Sequence, residues 1–318
     1  MKISIITCQN TDNHGARLQA YALMKHLRDQ GNEVEIIDYR PPYMDPTYRV
    51  FYWPGYSIKK WGRFIYYLPN RIWMKRRHSH FVSFANHFLP LTERVYHNID
   101  DLRSYPPEAD LYIAGSDQIW NTSFKNGTDP AYYLDFGASS IRRESYAASF
   151  ATETILPSAI PFVKENLKRF DKITVREQSG LRILEELGFQ GEQKDDPVFL
   201  LSKDEWSAIC DDTGCDKRFV LVYDFFSDAR IKNKATEVAR RMKLPIFAVC
   251  PRYQWYADKN FMTAGPCTFL SLIKNAACLI TNSFHGIAFS MIFDTPFVFI
   301  ERPDGLNVRM KDLLSTHS

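Results

Sequence analysis

The chain has 318 residues, 45% of them hydrophobic and 24% charged, and a net charge of +3. That length exceeds what one hydrophobic core comfortably serves, and the composition is that of an ordinary globular protein, so two core-bearing domains are expected. The small net charge gives no argument for nucleic-acid binding, and no stretch approaches the roughly 20 apolar residues of a membrane-spanning helix.

The six cysteines, Cys8, Cys210, Cys215, Cys250, Cys267 and Cys278, form no CxxC pair or Cys/His cluster. No metal site is expected, and buried thiols in a reducing compartment account for them. The apolar run at the N-terminus is too short for a signal peptide, so the expected location is the cytoplasm.

Lys2–Thr7 reads as a strand, Cys8 to Gly15 as a polar loop, Ala16–Asp29 as a helix ended by Gly31, and Val34–Tyr39 as a second strand. This is a βαβ opening, which implies a parallel sheet. With only Gly15 in the loop there is no GxGxxG dinucleotide fingerprint. Asp12, Asn13, His14, Arg17 and Gln19 suit a hydroxylated or anionic ligand, or else a capped loop with no ligand.

Between Asp45 and Glu93 there is no acidic residue, against eight Lys or Arg: Arg49, Lys59, Lys60, Arg63, Arg71, Lys75, Arg76 and Arg77. Tryptophans and tyrosines are interleaved with them. This insertion, about residues 41–90, reads either as a segment that lies on an anionic membrane surface or as a helical pair with a solvated basic face.

Ala109–Ala114 is a strand that runs into Gly115-Ser116-Asp117-Gln118-Ile119-Trp120-Asn121. A carboxylate, an amide and an indole at the carboxyl end of a strand suit sugar recognition, with a structural Asp117 cap as the alternative. Glu144–Phe150 is a further strand, Pro157–Arg169 a helix, and Lys172–Val175 a strand ending in Arg176-Glu177. That pair either holds an anion or serves only the fold. Val198–Leu201 is expected as the last strand of a domain spanning 1–202.

A second α/β series starts at Lys203 and runs through 318. It has strands at Phe219–Tyr223 and Pro245–Val249, helices at Asp228–Met242 and Phe269–Asn275, and the stretch Ala276–Ile300. That stretch reads as strand, polar loop, helix, strand. Asn282 or Ser283 is placed to cap the helix that starts near His285-Gly286. In open α/β sheets ligands bind past the carboxyl ends of strands, and helix N-termini favour anions. His285 therefore reads as a ligand contact or as a brace for the loop. Two such domains imply a ligand cleft between them.

The pieces Asp12 to Ala16, Leu18 to Tyr21, Gly115 to Asn121, Tyr146 to Phe150, Val175-Arg176-Glu177, Asp196-Pro197 and Thr281 to Phe297, in this order, resemble the polysaccharide pyruvyl transferase family. The resemblance implies an α/β fold of two Rossmann-like domains facing across a cleft, similar to GT-B glycosyltransferases. It also implies transfer of the enolpyruvyl unit of phosphoenolpyruvate to a sugar diol as a cyclic ketal, with no cofactor beyond that co-substrate. The acceptor would be a cell-surface polysaccharide or its lipid-linked precursor, which is consistent with peripheral contact at the inner face of the membrane. Family members carry Arg-x-His where this chain has Ser283-Phe284-His285. The Asn307-x-Arg309 and Leu313-Leu314 pattern precedes further chain in the family, so a longer protein is expected.

Ketal formation needs a general acid, a base for the hydroxyls and cations or N–H groups for phosphate and carboxylate. On the resemblance, His285 and Asp117 are the expected catalytic residues. Arg176, Asn282, Ser283, Phe284, Gly286, Arg302 and Arg309 are expected on the donor. Asp12, Asn13, Gly15, Gln19, Gln118, Trp120 and Asn121 are expected on the acceptor. The alternatives are a nucleotide-sugar glycosyltransferase on the same architecture and a non-catalytic glycan-binding protein.

Overall fold

The structure, a computed structural model, describes residues 1–44, 58–212, 218–302 and 307–316, with the backbone alone for 58–70. The chain divides into two compact units. Unit 1 comprises Met1–Asp45, Ala85–Ser202 and Glu301–Ser318, and unit 2 comprises Pro46–Phe84 and Lys203–Ile300. This corrects the expected boundaries at two places: the terminal segment 301–318 returns to unit 1, and most of the basic insertion belongs to unit 2.

Unit 1 is built on a seven-stranded sheet: β1 (Lys2–Ile6), β2 (Glu33–Tyr39), β3 (Leu91–Tyr96), β4 (Leu111–Asp117), β5 (Arg142–Ala148), β6 (Thr174–Val175) and β7 (Glu192–Gln193). The strands lie in the order β3-β2-β1-β4-β5-β6-β7, every pair parallel. The sheet is served by α1 (His14–Asp29), the C-terminal end of α2 (Ile58–Phe88), α3 (Ile99–Ser104), α4 (Ile160–Leu167) and α5 (Gln178–Glu186). β1 and β4 are buried at nearly every position, as continuous apolar strands of a parallel sheet must be. The Asn13 side chain starts α1 by accepting from the Gly15 and Ala16 amides, which satisfies two of the helix's orphan donors. Gly31, at φ +84°, turns the chain after α1, a conformation that costs glycine nothing. Val198–Leu201, expected as a strand, is a 3-10 turn at Pro197–Leu200 capped by Asp196. Pro197 fixes φ and lacks the N–H that a ladder position uses.

Unit 2 holds α6 (Lys203–Ala208) and a five-stranded parallel sheet of β8 (Val220–Tyr223), β9 (Ile246–Ala248), β10 (Lys259–Asn260), β11 (Cys278–Thr281) and β12 (Phe297–Phe299). The order is β10-β9-β8-β11-β12. The helices α7 (Ala229–Met242), α8 (Pro266–Asn275) and α9 (Phe284–Ile292) connect these strands, and α10 (Val308–Thr316) closes the chain in unit 1. In the basic segment the described structure is one helix, α2, rather than a helical pair. Arg77 of α2 is buried, donates to the Met262 carbonyl at 3.4 Å and lies over the Phe81 ring, while His80 meets the Thr263 carbonyl at 2.6 Å. Residues 45–57 of that segment lie outside the described residues.

Strand order reverses direction in both sheets, between β1 and β4 in unit 1 and between β8 and β11 in unit 2. At such a point two successive loops diverge and leave a crevice at the carboxyl ends of the strands. Polar bonds tie the two neighbours together at each crevice. Thr7 donates to the Ser116 carbonyl at 3.0 Å in unit 1, and Asn282 donates to Asp224 at 3.0 Å in unit 2. Gly115 sits where β4 approaches β5 most closely. Its φ is +133°, and a Cβ there would lie 2.3 Å from the Tyr146 carbonyl oxygen. Overpacking and backbone strain each cost about 1–3 kcal/mol, so Gly115→Ala is expected to destabilise the fold by at least about 2 kcal/mol. Urea unfolding of the variant checks this; an unchanged midpoint would contradict the close approach.

Candidate functional site

In unit 1 the carboxyl ends of β4, β5 and β6 gather a charged cluster. Asp117 ends β4 with φ +73°, and Ala147 and Ala151, around the end of β5, are also left-handed at +45° and +61°. Three non-glycine residues in that region form a strained rim of the kind that concentrates at functional sites. Arg176 follows β6 and is buried. Its Nη1 pairs with Asp196 at 2.9 Å, and its Nη2 donates to the Ser116 hydroxyl. Glu177 follows, fully buried, with Oε1 accepting from the Ala151 amide at 2.9 Å and the Ser149 hydroxyl at 3.1 Å. Its Oε2 has no hydrogen-bond partner among the described residues.

Arg309, on α10, completes the cluster at 6% exposure, with Nη1 3.7 Å from Asp117 Oδ1. Burial lowers its pKa to about 10 and Arg176 adds repulsion, against the pull of Asp117 and Glu177. Burial also raises the Glu177 carboxyl above its ordinary range, although the Ala151 amide, Arg309 and Arg176 all favour its charged form. The terminal helix is held in place by Asp312, whose Oδ2 accepts from the Gln178 amide at 2.6 Å. Arg302, also expected on the donor, donates its backbone N–H to Asn307 at 2.8 Å and is close enough to Arg309 to repel it.

The unit 1 crevice also carries the loop after β1. Asn13 is used as the α1 cap, and Asp12 and Gly15 flank it. Arg17, 2% exposed, donates to Gln9 at 2.8 Å, Gln9 donates to Asp38 at 3.1 Å, and Arg40 grips Asp38 through both carboxylate oxygens. Burial lowers the Arg17 pKa to about 10. Asp12 and Asp38 are its electrostatic counterweights.

Three expected acceptor contacts are corrected. Trp120 is fully buried: its indole N–H donates to the Tyr132 carbonyl, and its ring is stacked on Tyr133 and packed against Phe150 and Phe170. Gln19 has no exposure and spends its amide on Thr7, the Ala16 carbonyl and the Ser116 amide. Asn121 is likewise inside, bonded to Gln118 and the Ser123 amide. Each is a polar group whose hydrogen bonds are internal, so none presents a face to a sugar. Gln118 alone of this group keeps partial exposure. Arg176, expected on the donor, is a buried residue of the cluster, paired with Asp196.

In unit 2 the expected donor residues sit together at the start of α9. Ser283 caps the helix, its hydroxyl accepting from the Gly286 amide at 3.4 Å, and His285 lies in the first turn against the edge of Phe284. Gly286 is required by packing: a Cβ there would lie 2.9 Å from Thr281 Oγ1 and 3.3 Å from the Tyr223 ring. Asn282 is 1% exposed and gives its Nδ2 to Asp224; its Oδ1 has no hydrogen-bond partner among the described residues.

Among the described residues no group of three His, Cys, Asp or Glu is placed to hold a metal ion, and no helix is long and apolar enough to cross a membrane. The five described cysteines are free thiols, three of them buried. A cavity of about 560 Å³ lies at the opposite, amino edge of the unit 1 sheet, lined by Arg103, Asp135, Arg143, Lys168 and Arg169 among others. Arg103 and Arg169 pair with Asp135, and Arg143 donates to five backbone carbonyls. Its chemistry is that of a braced loop.

Glu177 was read in sequence only as a partner for Arg176. Its adjacency to an arginine at the end of a strand was the available signal. As a buried carboxyl with a raised pKa it destabilises the fold when ionised. Below the ordinary glutamate pKa both folded and unfolded chains carry its proton. As pH rises the unfolded chain releases that proton first, so stability falls until the raised native pKa is passed. Wild-type thermal stability is therefore expected to decline relative to Glu177→Gln as pH rises from 4 upward. Parallel melting profiles would contradict the buried, proton-retaining carboxyl. Trp120→Ala is expected to cost about 3–5 kcal/mol, as for other buried aromatic truncations. A stable variant in urea unfolding would restore a surface role for that indole.

The family model for polysaccharide pyruvyl transferase matches residues 13–304. No curated protein matches the chain. Among solved structures, UDP-N-acetylglucosamine 2-epimerase from Rickettsia bellii is similar at 12% identity and a TM-score of 0.50, over 96% of this chain and 82% of that one. A putative UDP-N-acetylglucosamine 2-epimerase from Listeria monocytogenes gives 9% identity and 0.50 over 99% and 86%. The E. coli heptosyltransferase WaaC gives 10% and 0.42 over the whole of both chains. At these identities the likeness is one of fold, an α/β fold with two Rossmann-like units of the GT-B type. The family match covers most of the chain, with the Asp117, Arg176-Glu177 and His285 segments inside it; the protein belongs to the polysaccharide pyruvyl transferase family.

Proposed function

We propose that this protein transfers the pyruvyl unit of phosphoenolpyruvate to two hydroxyls of one sugar in a cell-surface polysaccharide or its lipid-linked precursor, as a cyclic ketal. The observation that carries the reading is the Arg309–Asp117 pair: a buried guanidinium beside a partly exposed carboxylate, on a strained rim at the carboxyl ends of the sheet. Burial disfavours that cation, and Asp117 and Glu177 act against the penalty. A phosphate or carboxylate laid against it acts in the same direction, and a guanidinium matches either one in a two-pronged geometry. Arg309 is thus a guanidinium of the kind that phosphate and carboxylate require. Arg176, paired with Asp196, adds a second buried guanidinium to the same cluster.

The chemistry divides into three proton and bond movements. The enol methylene takes a proton. The cationic carbon that results is attacked by one acceptor hydroxyl, whose proton Asp117 takes. The second hydroxyl then displaces phosphate and passes its proton to it, so that hydrogen phosphate leaves, while the proton that Asp117 takes balances the one gained by the methylene. His285, at the N-terminus of α9 with Asn282, Ser283, Phe284 and Gly286, serves the phosphate, as an acid or as a hydrogen-bond donor. Asp12, Asn13, Gly15 and Gln118 are the remaining acceptor contacts.

The acceptor reading brings the protein to an anionic membrane surface. On α2, Ile72 and Trp73 are exposed at 47% and 42%, and Lys75 and Arg76 share the exposed side, whereas Arg77 is buried and takes no part. Each surface cation near anionic lipid contributes up to about 1 kcal/mol. Changing Lys75 and Arg76 together to Ser is expected to weaken binding to anionic vesicles at low salt and leave turnover of a soluble acceptor intact. Absence of vesicle binding by the wild type would remove membrane contact from the account.

The function itself is tested by phosphate release from phosphoenolpyruvate with a panel of oligosaccharide acceptors. His285→Ala is expected to lower that rate by about a hundredfold or more, the usual worth of a positioned acid or base, while the melting temperature holds. Normal turnover in the variant, or thermal stabilisation of the wild type by nucleotide sugars but not by phosphoenolpyruvate, would contradict the reading and favour glycosyl transfer.

A further inference from the structure

The carboxyl edge of the unit 2 sheet carries an aromatic group that the roles above leave unused. Trp255 is 73% exposed, Tyr253 60% and Phe226 45%. Large apolar side chains in soluble proteins seldom cluster so openly without a partner. Phe226 lies in the loop after β8, while Tyr253 and Trp255 lie in the loop after β9.

These two loops are held rather than loose. Gln254 is buried between the aromatics; its side chain donates to the Arg252 carbonyl at 3.2 Å and reaches Ser227 Oγ at 3.4 Å. Its backbone is gripped by Asn260, which accepts from the Gln254 amide at 2.8 Å and donates to the Gln254 carbonyl at 3.1 Å. Lys232, near the start of α7, places its ammonium 4.1 Å from the centre of the Trp255 ring, and Tyr256 meets that ring edge-on. The indole is thereby posed as a rigid plate, with a cation over its ring.

The loop after β8 is also bonded to the loop that starts α9. Asp224, 1% exposed, accepts from the Phe226 and Asp228 amides and so shapes the loop after β8. The same Asp224 Oδ1 accepts from Asn282 Nδ2. A carboxylate takes only donors, so this bond fixes the Asn282 amide with its oxygen turned away from Asp224. That oxygen is buried and without a hydrogen-bond partner among the described residues. It calls for an O–H or N–H from a ligand. Hydrogen bonds thus run from Asn282, two residues before Phe284, through Asp224 to the backbone of Phe226, and from neighbouring Ser227 to Gln254 between Tyr253 and Trp255 in sequence.

We infer that Trp255 and Tyr253, with Phe226, form a sugar-binding shelf for a residue of the glycan acceptor, and that Asn282 Oδ1 takes a hydroxyl of the acceptor or donor beside it. The inference rests on the pyruvyl-transfer reading for the nature of the ligand. A pyranose ring has an apolar C–H face and a rim of O–H donors. Exposed flat rings and an unfilled acceptor oxygen, on neighbouring loops at one edge of the sheet, match that chemistry.

The test uses a glycan array of cell-surface oligosaccharides, together with acceptor kinetics and thermal shifts with phosphoenolpyruvate. Trp255→Ala combined with Tyr253→Ala is expected to lower array binding more than tenfold. It should raise the acceptor KM by a similar factor, with kcat and the phosphoenolpyruvate shift unchanged. Trp255→Phe, which keeps a flat face, is expected to recover most of the binding. Glycan binding by the double variant equal to wild type overturns the shelf, as does a wild type that binds no glycan. Loss that Trp255→Phe shares in full also overturns it. If the phosphoenolpyruvate shift is absent while glycan binding still depends on Trp255, the shelf stands and the donor reading falls.

Discussion

Two guanidinium groups buried within one unit are the constraint on which much of the rest depends. Arg176 and Arg309 each give up nearly all their hydration, and each repels the other. Ions in that position are tolerated only where carboxylates and hydrogen bonds replace the lost water. Asp196 pairs with Arg176 at 2.9 Å, both side chains almost wholly buried. Asp117 answers Arg309 at a looser 3.7 Å, and Glu177 sits close enough to both to feel them while its own burial favours the neutral acid. The result is a site in unit 1 with two buried guanidinium groups at one rim, and a guanidinium suits both the phosphate and the carboxylate of the proposed substrate.

The cluster draws on the segment after β12 as well as on the sheet. After β12 the backbone crosses to unit 1, where α10 presents Arg309 and anchors itself through Asp312 on the first amide of α5. The anchoring residue and the functional one are three apart, on adjacent turns of a short helix. Both sheets share the 3-2-1-4 strand order and hence the same crevice, yet the two crevices are furnished differently. Unit 1 lines its own with buried ion pairs. Unit 2 uses a helix N-terminus, a histidine and an amide held in orientation by Asp224.

Much of this was legible where the signal is local. The β1–α1 and β11–α9 units follow from apolar runs broken by Asn13 and Ser283, both of which cap helices as side chains of that type do. Asp117, Arg309 and Arg176 were nominated from the sequence, and the structure brings them into one cluster. Other features depend on contacts distant in sequence. The return of residues 301–318 to unit 1 leaves no local trace, because an amphipathic final helix packs equally well on either unit. The short strands β3, β7 and β10 are two to six residues long and too polar to register as periodic. Trp120, Gln19 and Asn121 sit beside functional loops in sequence and point into the core in space, since polar side chains near a switch point are also what hold its loops together. Trp255 and Tyr253 drew no notice because aromatic residues are abundant in this chain and only their exposure distinguishes them.

The most direct measurement is a crystal structure of the protein with phosphoenolpyruvate bound. The account predicts the phosphate or carboxylate within hydrogen-bond distance of the Arg309 guanidinium, with Asp117 adjacent and Arg176 still paired to Asp196. Phosphoenolpyruvate bound with no contact to Arg309, or Arg309 unchanged beside an empty rim at saturating ligand, would contradict it.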